Sequence, residues 1–338
     1  MKIELIEYFK SLAKEKQELI VKDLIDKLSN NSDDTAIEEH KDNEFLKSGI
    51  TCPHCSSALI VGHGVFNNTK RYRCKACNKT FNSLTGTVAY KLHKKHLIKE
   101  YLFYMLQGYS LRKIAFEMDI CLKTAFDWRH KILCGIKLKS KNKLEGVIEA
   151  DETFFLYSEK GNKSLNRDSR KRGGKASKRG IHKDHVTVLT AFERKTEKSL
   201  NTVVCRGRIT KKAIQEGVGK WLDKKNVILC SDAHLNYQRF AKDNDIAHKH
   251  TFVRRKEYVV EGIYHIQNVN YLHSKLKNWI RTFNGVATKY LQNYLNYFNL
   301  IITAQKEIDK VTHMVERIIE DNKSYIQRDK LNQQYCIT

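Results

Sequence analysis

Three observations predict a multi-domain chain with a metal-built module, an all-α segment and an α/β domain. Cys52, Cys55, Cys74 and Cys77 read C-x2-C, eighteen residues, then C-x2-C. Residues 108–134 carry a short apolar helical pattern, a tight turn and a second, basic helical pattern. From Gly146 onward, compact apolar strands alternate with helical stretches, the texture of an α/β layer rather than a bundle.

Composition narrows the function. The chain has 338 residues, enough for two or three units, and 41% are apolar, which supports ordinary core burial. Lys and Arg number 62 against 38 acids, a formal charge of +24. A surplus that large favours phosphate backbones, so nucleic acid is the expected partner, ahead of a membrane surface or a merely solvated basic face; the motifs below make it double-stranded DNA. No apolar run approaches a bilayer span, so no membrane partner is expected. Glu4 and Glu7 lie where a secretory signal would be basic and then apolar. Five of the nine cysteines are scattered singly, the pattern of a reducing compartment, and a cytoplasmic setting is expected.

The amino-terminal segment, 1–48, reads as an amphipathic helix (Ile6, Phe9, Leu12, Leu19, Leu24) followed by a polar linker. The cysteine module fills 49–90. Each C-x2-C turn delivers two thiolates without strain, and two such turns close a tetrahedral cage around Zn²⁺. Strand-like stretches at Leu59–Val61 and Thr69–Arg73 make it a zinc ribbon. The zinc is structural, because four cysteines leave no position open. Arg71, Arg73, Lys75 and Lys79 give the ribbon a basic face.

Residues 91–144 form the helix-turn-helix region. Ser110 is placed to cap a helix carrying Ile114 and Ala115, and Met118–Ile120 makes the turn. The next helix points Ala125, Trp128 and Ile132 inward. Lys123, Thr124, Asp127, Arg129 and Lys131 are expected outward, with Lys123, Thr124, Arg129 and Lys131 the DNA contacts. The same pattern also fits two core helices of a larger domain.

Residues 145–305 form the α/β domain, with 306–338 a charged helical tail. Asp151 closes the strand 146–151, and Asp232 closes the strand 227–230. Carboxylates at buried strand ends need a positive partner. Two such strands side by side would share divalent metal, Mg²⁺ or Mn²⁺, suited to in-line displacement at phosphorus. Each aspartate would equally serve to cap a strand or a helix. Asn270, His273 and Lys277, at i, i+3 and i+7, mark one face of a later helix. Asn270 offers a hard carbonyl oxygen and His273 a ligand or proton shuttle. Between the strands, Lys160–Lys183 holds ten basic residues and one acid, with Arg170, Lys171 and Arg172 the expected DNA contacts.

Three ordered runs complete a recognisable pattern: E-A-D-E-T-F-F at 149–155, C-S-D-A-H at 230–234 and H-I-Q-N-V-N-Y-L-H-S-K-L-K-N-W at 265–279. Behind a cysteine ribbon they resemble the zinc-ribbon-bearing, ISXO-like insertion-sequence transposases. The resemblance runs from about 50 to about 300. It implies an α/β RNase H-like mixed-sheet catalytic core, with Asp151 and Asp232 as the first two metal-binding catalytic residues. Many relatives place Glu third; here Asn270 inherits that role, with His273 the runner-up. The resemblance further implies Mg²⁺-dependent DNA cleavage and 3′-hydroxyl strand transfer at terminal inverted repeats, by a homo-oligomer on DNA. A zinc-ribbon and helix-turn-helix regulator without catalysis explains the charge and the first two modules, but leaves the strand-end aspartates without purpose.

Overall fold

The computed structural model describes residues 49–66, 69–136, 143–165, 168, 173–252, 255–303 and 310–319, together with 13, 14 and 16. The amino-terminal helix and linker, the loop residues Arg170, Lys171 and Arg172, and the tail beyond 319 lie outside the described residues. Described residues up to Phe103, with those from Met314, form one compact unit, and Tyr104–His313 forms another.

In the first unit, β1 (Ile60–Phe66), β2 (Thr69–Cys74) and β3 (Thr80–Phe81) form an antiparallel sheet in chain order. Its small core is Cys52, Cys74 and Phe81, with Tyr72 stacked on Phe81 at 5.7 Å. So few apolar side chains cannot hold a sheet of this size alone, which gives the cysteines their structural weight. A 3-10 turn, Lys95–Leu97, leads into α1 (Ile98–Leu106).

The second unit opens with α2 (Leu111–Glu117) and α3 (Leu122–Gly135). Ser110 caps α2 by accepting the Lys113 backbone N–H at 3.3 Å, as the sequence suggested. The turn works because Asp119 takes a positive φ of 46°. Ala125, Trp128 and Ile132 face inward. Arg129 does not face outward: it is 3% exposed, donates to the Tyr109 carbonyl at 2.8 Å and lies 5.6 Å from the Phe283 ring centroid. Its planar head finds a carbonyl and an aromatic face at once, which the helix's solvent side would not offer.

Five strands follow: β4 (Leu144–Leu156), β5 (His185–Glu193), β6 (Lys198–Arg206), β7 (Leu222–Asp232) and β8 (Ala247–Thr251). Their spatial order is β6-β5-β4-β7-β8. β4, β5 and β6 run antiparallel, whereas β7 and β8 run parallel to β4 and to each other. The sheet is therefore mixed, as expected of the α/β domain.

Helices cover both faces. On one side, α4 (Lys211–Gly217) and α5 (Leu235–Asp243) bring Ile214, Tyr237 and Phe240 onto Ile148, Ala150, Leu189 and Leu229. The other side carries α6 (Gln267–Arg281) and α7 (Thr288–Thr303); α8 (Lys310–Ile319) ends the described chain. α7 is tied to β6 by Asn201 Nδ2, donating to Asn299 Oδ1 at 2.5 Å. It is tied to α3 by Asn293, which donates to Cys134 Sγ at 3.3 Å, and by Asn296, which donates to the Ile136 carbonyl at 3.2 Å. His130 of α3 stacks on Tyr290 at 3.9 Å.

Candidate active site

The parallel pairing of β4 and β7 sets the centre. Glu149 pairs with Cys230, and the same register continued by two residues brings Asp151 beside Asp232. Paired residues of parallel strands present side chains to one face. On β8, Thr251 pairs with Asp232. The Asp232 Oδ1 accepts the His234 backbone N–H at 3.1 Å, fixing the start of α5.

The charges interact. Asp151 is pushed well above the usual carboxylate range, first by burial, then by Glu152 and Asp232. Glu152 is raised by burial and by Asp232. Behind it, burial and the Glu152 carboxyl raise the fully buried Tyr237 phenol. Three acids crowded on two adjacent strands are a poor arrangement unless a cation joins them.

α6 supplies the third wall. His273, 7% exposed, places Nδ1 3.7 Å from Asp151 Oδ2. Burial, aided by Lys277, lowers it to about 4, so the ring is neutral at pH 7 and fit to ligate. Asn270, one turn earlier, is exposed, and its side-chain amide makes no hydrogen bond among the described residues. His273 is thus the α6 side chain that meets Asp151.

A buried acid to which the sequence reading gave no role of its own holds α6 in place. Glu149, with no exposed surface, accepts the backbone N–H of Asn268 at 2.9 Å and of Val269 at 3.2 Å. It also accepts Asn268 Nδ2 at 2.6 Å and Arg194 Nε at 2.7 Å. Arg194 in turn donates to the carbonyls of Ile263 at 2.6 Å and His265 at 3.1 Å. The clue was alternation: Glu149 and Asp151 share a strand face, so an acid there had to meet whatever covers Asp151.

The donor set fits a divalent cation. Asp151 is destabilised as an anion by burial and by the neighbouring acids, and two buried polar atoms, Thr153 Oγ1 and His273 Nε2, have no hydrogen-bond partner. Oxygen donors with a neutral imidazole suit Mg²⁺ or Mn²⁺. Among the described residues, Asp151, Asp232 and His273 do not draw their ligand atoms within 4.8 Å of one another; the four cysteines do.

In that cysteine group, Cys52 Sγ lies 3.6 Å from Cys77 Sγ, and Cys55 Sγ lies 3.6 Å from Cys74 Sγ. Tetrahedral Zn–S bonds of about 2.3 Å put sulfurs about 3.8 Å apart, so the cage fits zinc closely. Backbone N–H groups of Cys77 and Ala76 help pull Cys74 down to about 6, towards the ligating thiolate. Lys123 is exposed, and Thr124 and Lys131 are half-buried.

Asp151 does not close its strand as the sequence suggested, because pairing with β5 carries β4 on to Leu156; it lies where the β4–β7 pairing stops, beside Asp232 at the end of β7. A mixed sheet with acids on adjacent parallel strands, and a histidine-bearing helix over them, defines the site of this α/β domain. Residues 143–299 match the model of the ISXO2-like transposase domain. This domain belongs to that family. An uncharacterized protein in transposable element ISH50 of Halobacterium salinarum is 28% identical over 263 residues, 75% of this chain and 85% of its own. Among solved structures, the HTLV-2 integrase catalytic core with magnesium aligns at TM-score 0.27 and 9% identity, covering 51% of this chain and 90% of that one. The mariner Mos1 paired end complex with Mg aligns at 0.28 and 11%, covering 68% and 79%.

Proposed function

We propose that this transposase is a metal-dependent DNA strand-cleaving and strand-joining enzyme with an RNase H-like core. The observation that carries the reading is the register that sets Asp151 beside Asp232, with His273 3.7 Å from the first. Asp151 and Asp232 hold the metal. His273 completes the set from α6, and Asn270 lies one turn away to add a carbonyl oxygen. Bound there, Mg²⁺ or Mn²⁺ would neutralise charge on the phosphoryl oxygens and make water a better nucleophile.

Water attacks phosphorus at an element end, and the P–O3′ bond breaks to leave a 3′-hydroxyl. That oxygen then attacks a target phosphodiester, forming one P–O bond as another breaks. With one ring nitrogen on the metal, the other nitrogen of neutral His273 carries the proton, so it would donate a hydrogen bond to a water or phosphate oxygen rather than take a proton. The zinc ribbon and the α2–α3 pair, with Lys123, Thr124 and Lys131, contact the terminal inverted repeats. The loop residues Arg170, Lys171 and Arg172 add backbone contacts, and two ends are bracketed by a homo-oligomer on DNA. Among the described residues, no helix is long and apolar enough to cross a membrane.

The test incubates full-length protein with end-containing DNA and Mg²⁺, comparing wild type with D151N and D232N. Cleavage by wild type, lost in both variants, is expected. Cleavage surviving in both variants would rule out this centre, and a metal-independent footprint without cleavage would favour the regulator.

A further inference from the structure

A cleft of about 720 Å³ opens beside Asp232. Asp232, His234, Leu235, Arg239, Thr251 and Phe252 line it. It sits at the carboxyl ends of the parallel strands β7 and β8, where an open α/β sheet seats ligands.

Its polar groups are arranged as donors. Thr251 is 3% exposed, yet its hydroxyl has no hydrogen-bond partner. A buried hydroxyl left unpaired costs about 1–3 kcal/mol, so something polar belongs against it. His234 Nδ1 accepts the Asn236 backbone N–H at 3.3 Å, which puts the proton of the neutral ring on Nε2, away from the backbone. Arg239 is exposed and has no carboxylate or carbonyl partner among the described residues. Leu235 is 61% exposed and, with Phe252, supplies apolar wall.

We propose that this cleft seats one phosphodiester and its deoxyribose from the DNA strand flanking the scissile bond. Arg239 and His234 Nε2 donate to the phosphate oxygens. The Thr251 hydroxyl donates from the cleft floor, and Leu235 and Phe252 pack the sugar. An anion is favoured over a cation because Arg239, the His234 Nε2–H and the Thr251 hydroxyl outnumber the single acid, Asp232, which is committed to the catalytic metal. The inference rests on the strand-cleaving reading and adds a position at which the strand is gripped.

The test walks a single neutral methylphosphonate linkage through the phosphates flanking the scissile bond, using the full-length protein. At one flanking linkage the neutral group is expected to slow wild-type cleavage about tenfold, the size of one lost charge-assisted hydrogen bond. R239A cuts unmodified DNA about tenfold more slowly and loses nothing further at that linkage. T251V, which keeps the side-chain shape, shows the same position-specific coupling. Independent, multiplying losses at every linkage would overturn the cleft, as would R239A cutting like wild type. If wild type cuts no end DNA with Mg²⁺ or Mn²⁺, the strand-cleaving reading fails instead. Equilibrium binding of the same duplexes to wild type and R239A then decides the cleft, by the same coupling or its lack.

Discussion

The carboxylate of Glu149 accepts the backbone N–H of Asn268 at 2.9 Å, joining the catalytic strand to the catalytic helix across 119 residues of chain. An acid at a helix start also satisfies the helix dipole, so this contact orients α6 as well as anchoring it. Arg194 shares the same carboxylate, which keeps a fully buried charge paired.

E149A should therefore cost about 3–5 kcal/mol in stability, because Arg194 and two helix N–H groups lose their acceptor. E149Q, which retains one carbonyl oxygen, should fold but cleave about 10–100-fold more slowly, the usual loss when a supporting partner of a ligand is altered. Denaturant melts and cleavage assays on both variants check this. Wild-type cleavage by E149Q would show that α6 needs no such anchor.

Crowded carboxyls set a pH dependence. Asp151 has its proton affinity raised on folding, so the native state holds more protons than the unfolded chain above the ordinary carboxylate range. Its contribution to stability therefore falls as pH rises through that window. D151N should raise the melting temperature in EDTA at pH 7, and Mg²⁺ should raise that of wild type but not of D151N. Thermal scans with and without metal decide it.

Buried imidazoles act in the opposite sense. His130 is lowered to about 3, chiefly by burial, and His248 and His273 to about 4. Each binds fewer protons folded than unfolded between its own value and 6.5, so each contributes stability above pH 6.5 that is lost on acidification. Wild type should melt at lower temperature at pH 5 than at pH 7, and H130F, which cannot protonate, should narrow the gap. An unchanged gap in H130F would assign the acid sensitivity elsewhere.

Zinc removal should act on one unit alone. Thiolate ligation of Zn²⁺ is worth on the order of 10 kcal/mol in small modules, far above what the Cys52, Cys74 and Phe81 core supplies. Chelation, or C74S, should expose the ribbon to protease while the unit from Tyr104 to His313 stays resistant. Limited proteolysis with mass mapping would reveal an intact ribbon if the cage were incidental.

Arg129 and Lys123 should part company. R129A removes the donor to Tyr109 and a ring contact, at a cost of about 1–3 kcal/mol. K123A on the exposed face should leave stability within about 0.5 kcal/mol and weaken end-DNA binding severalfold, more at low salt. Melts and salt-dependent binding separate the two.

The legible features were those with a local chemical signature. Cysteine spacing gave the cage, because ligand geometry is written in chain distance. Ser110, the turn at Asp119 and the inward Ala125, Trp128 and Ile132 followed from capping and helical period. Asp151 and Asp232 stood out as acids closing apolar runs. What escaped depended on tertiary partners. Arg129 looked like a surface cation until Tyr109 and Phe283 came to meet it. β8, reading A-H-K-H-T, lacks the apolar texture of a strand and exists because β7 offers it an edge. Glu149 needed a helix from 119 residues away to make sense. Asn270 was ranked above His273 on the family pattern, whereas the fold turns the histidine towards Asp151.

The asparagine contacts from α7 to the end of α3 carry a mechanical implication. Because Asn299, two turns along the same helix, is held by β6, α3 is coupled to the sheet through α7. A duplex held by α3 would be measured off by a built-in ruler, with its cut placed a set number of base pairs from the bases being read.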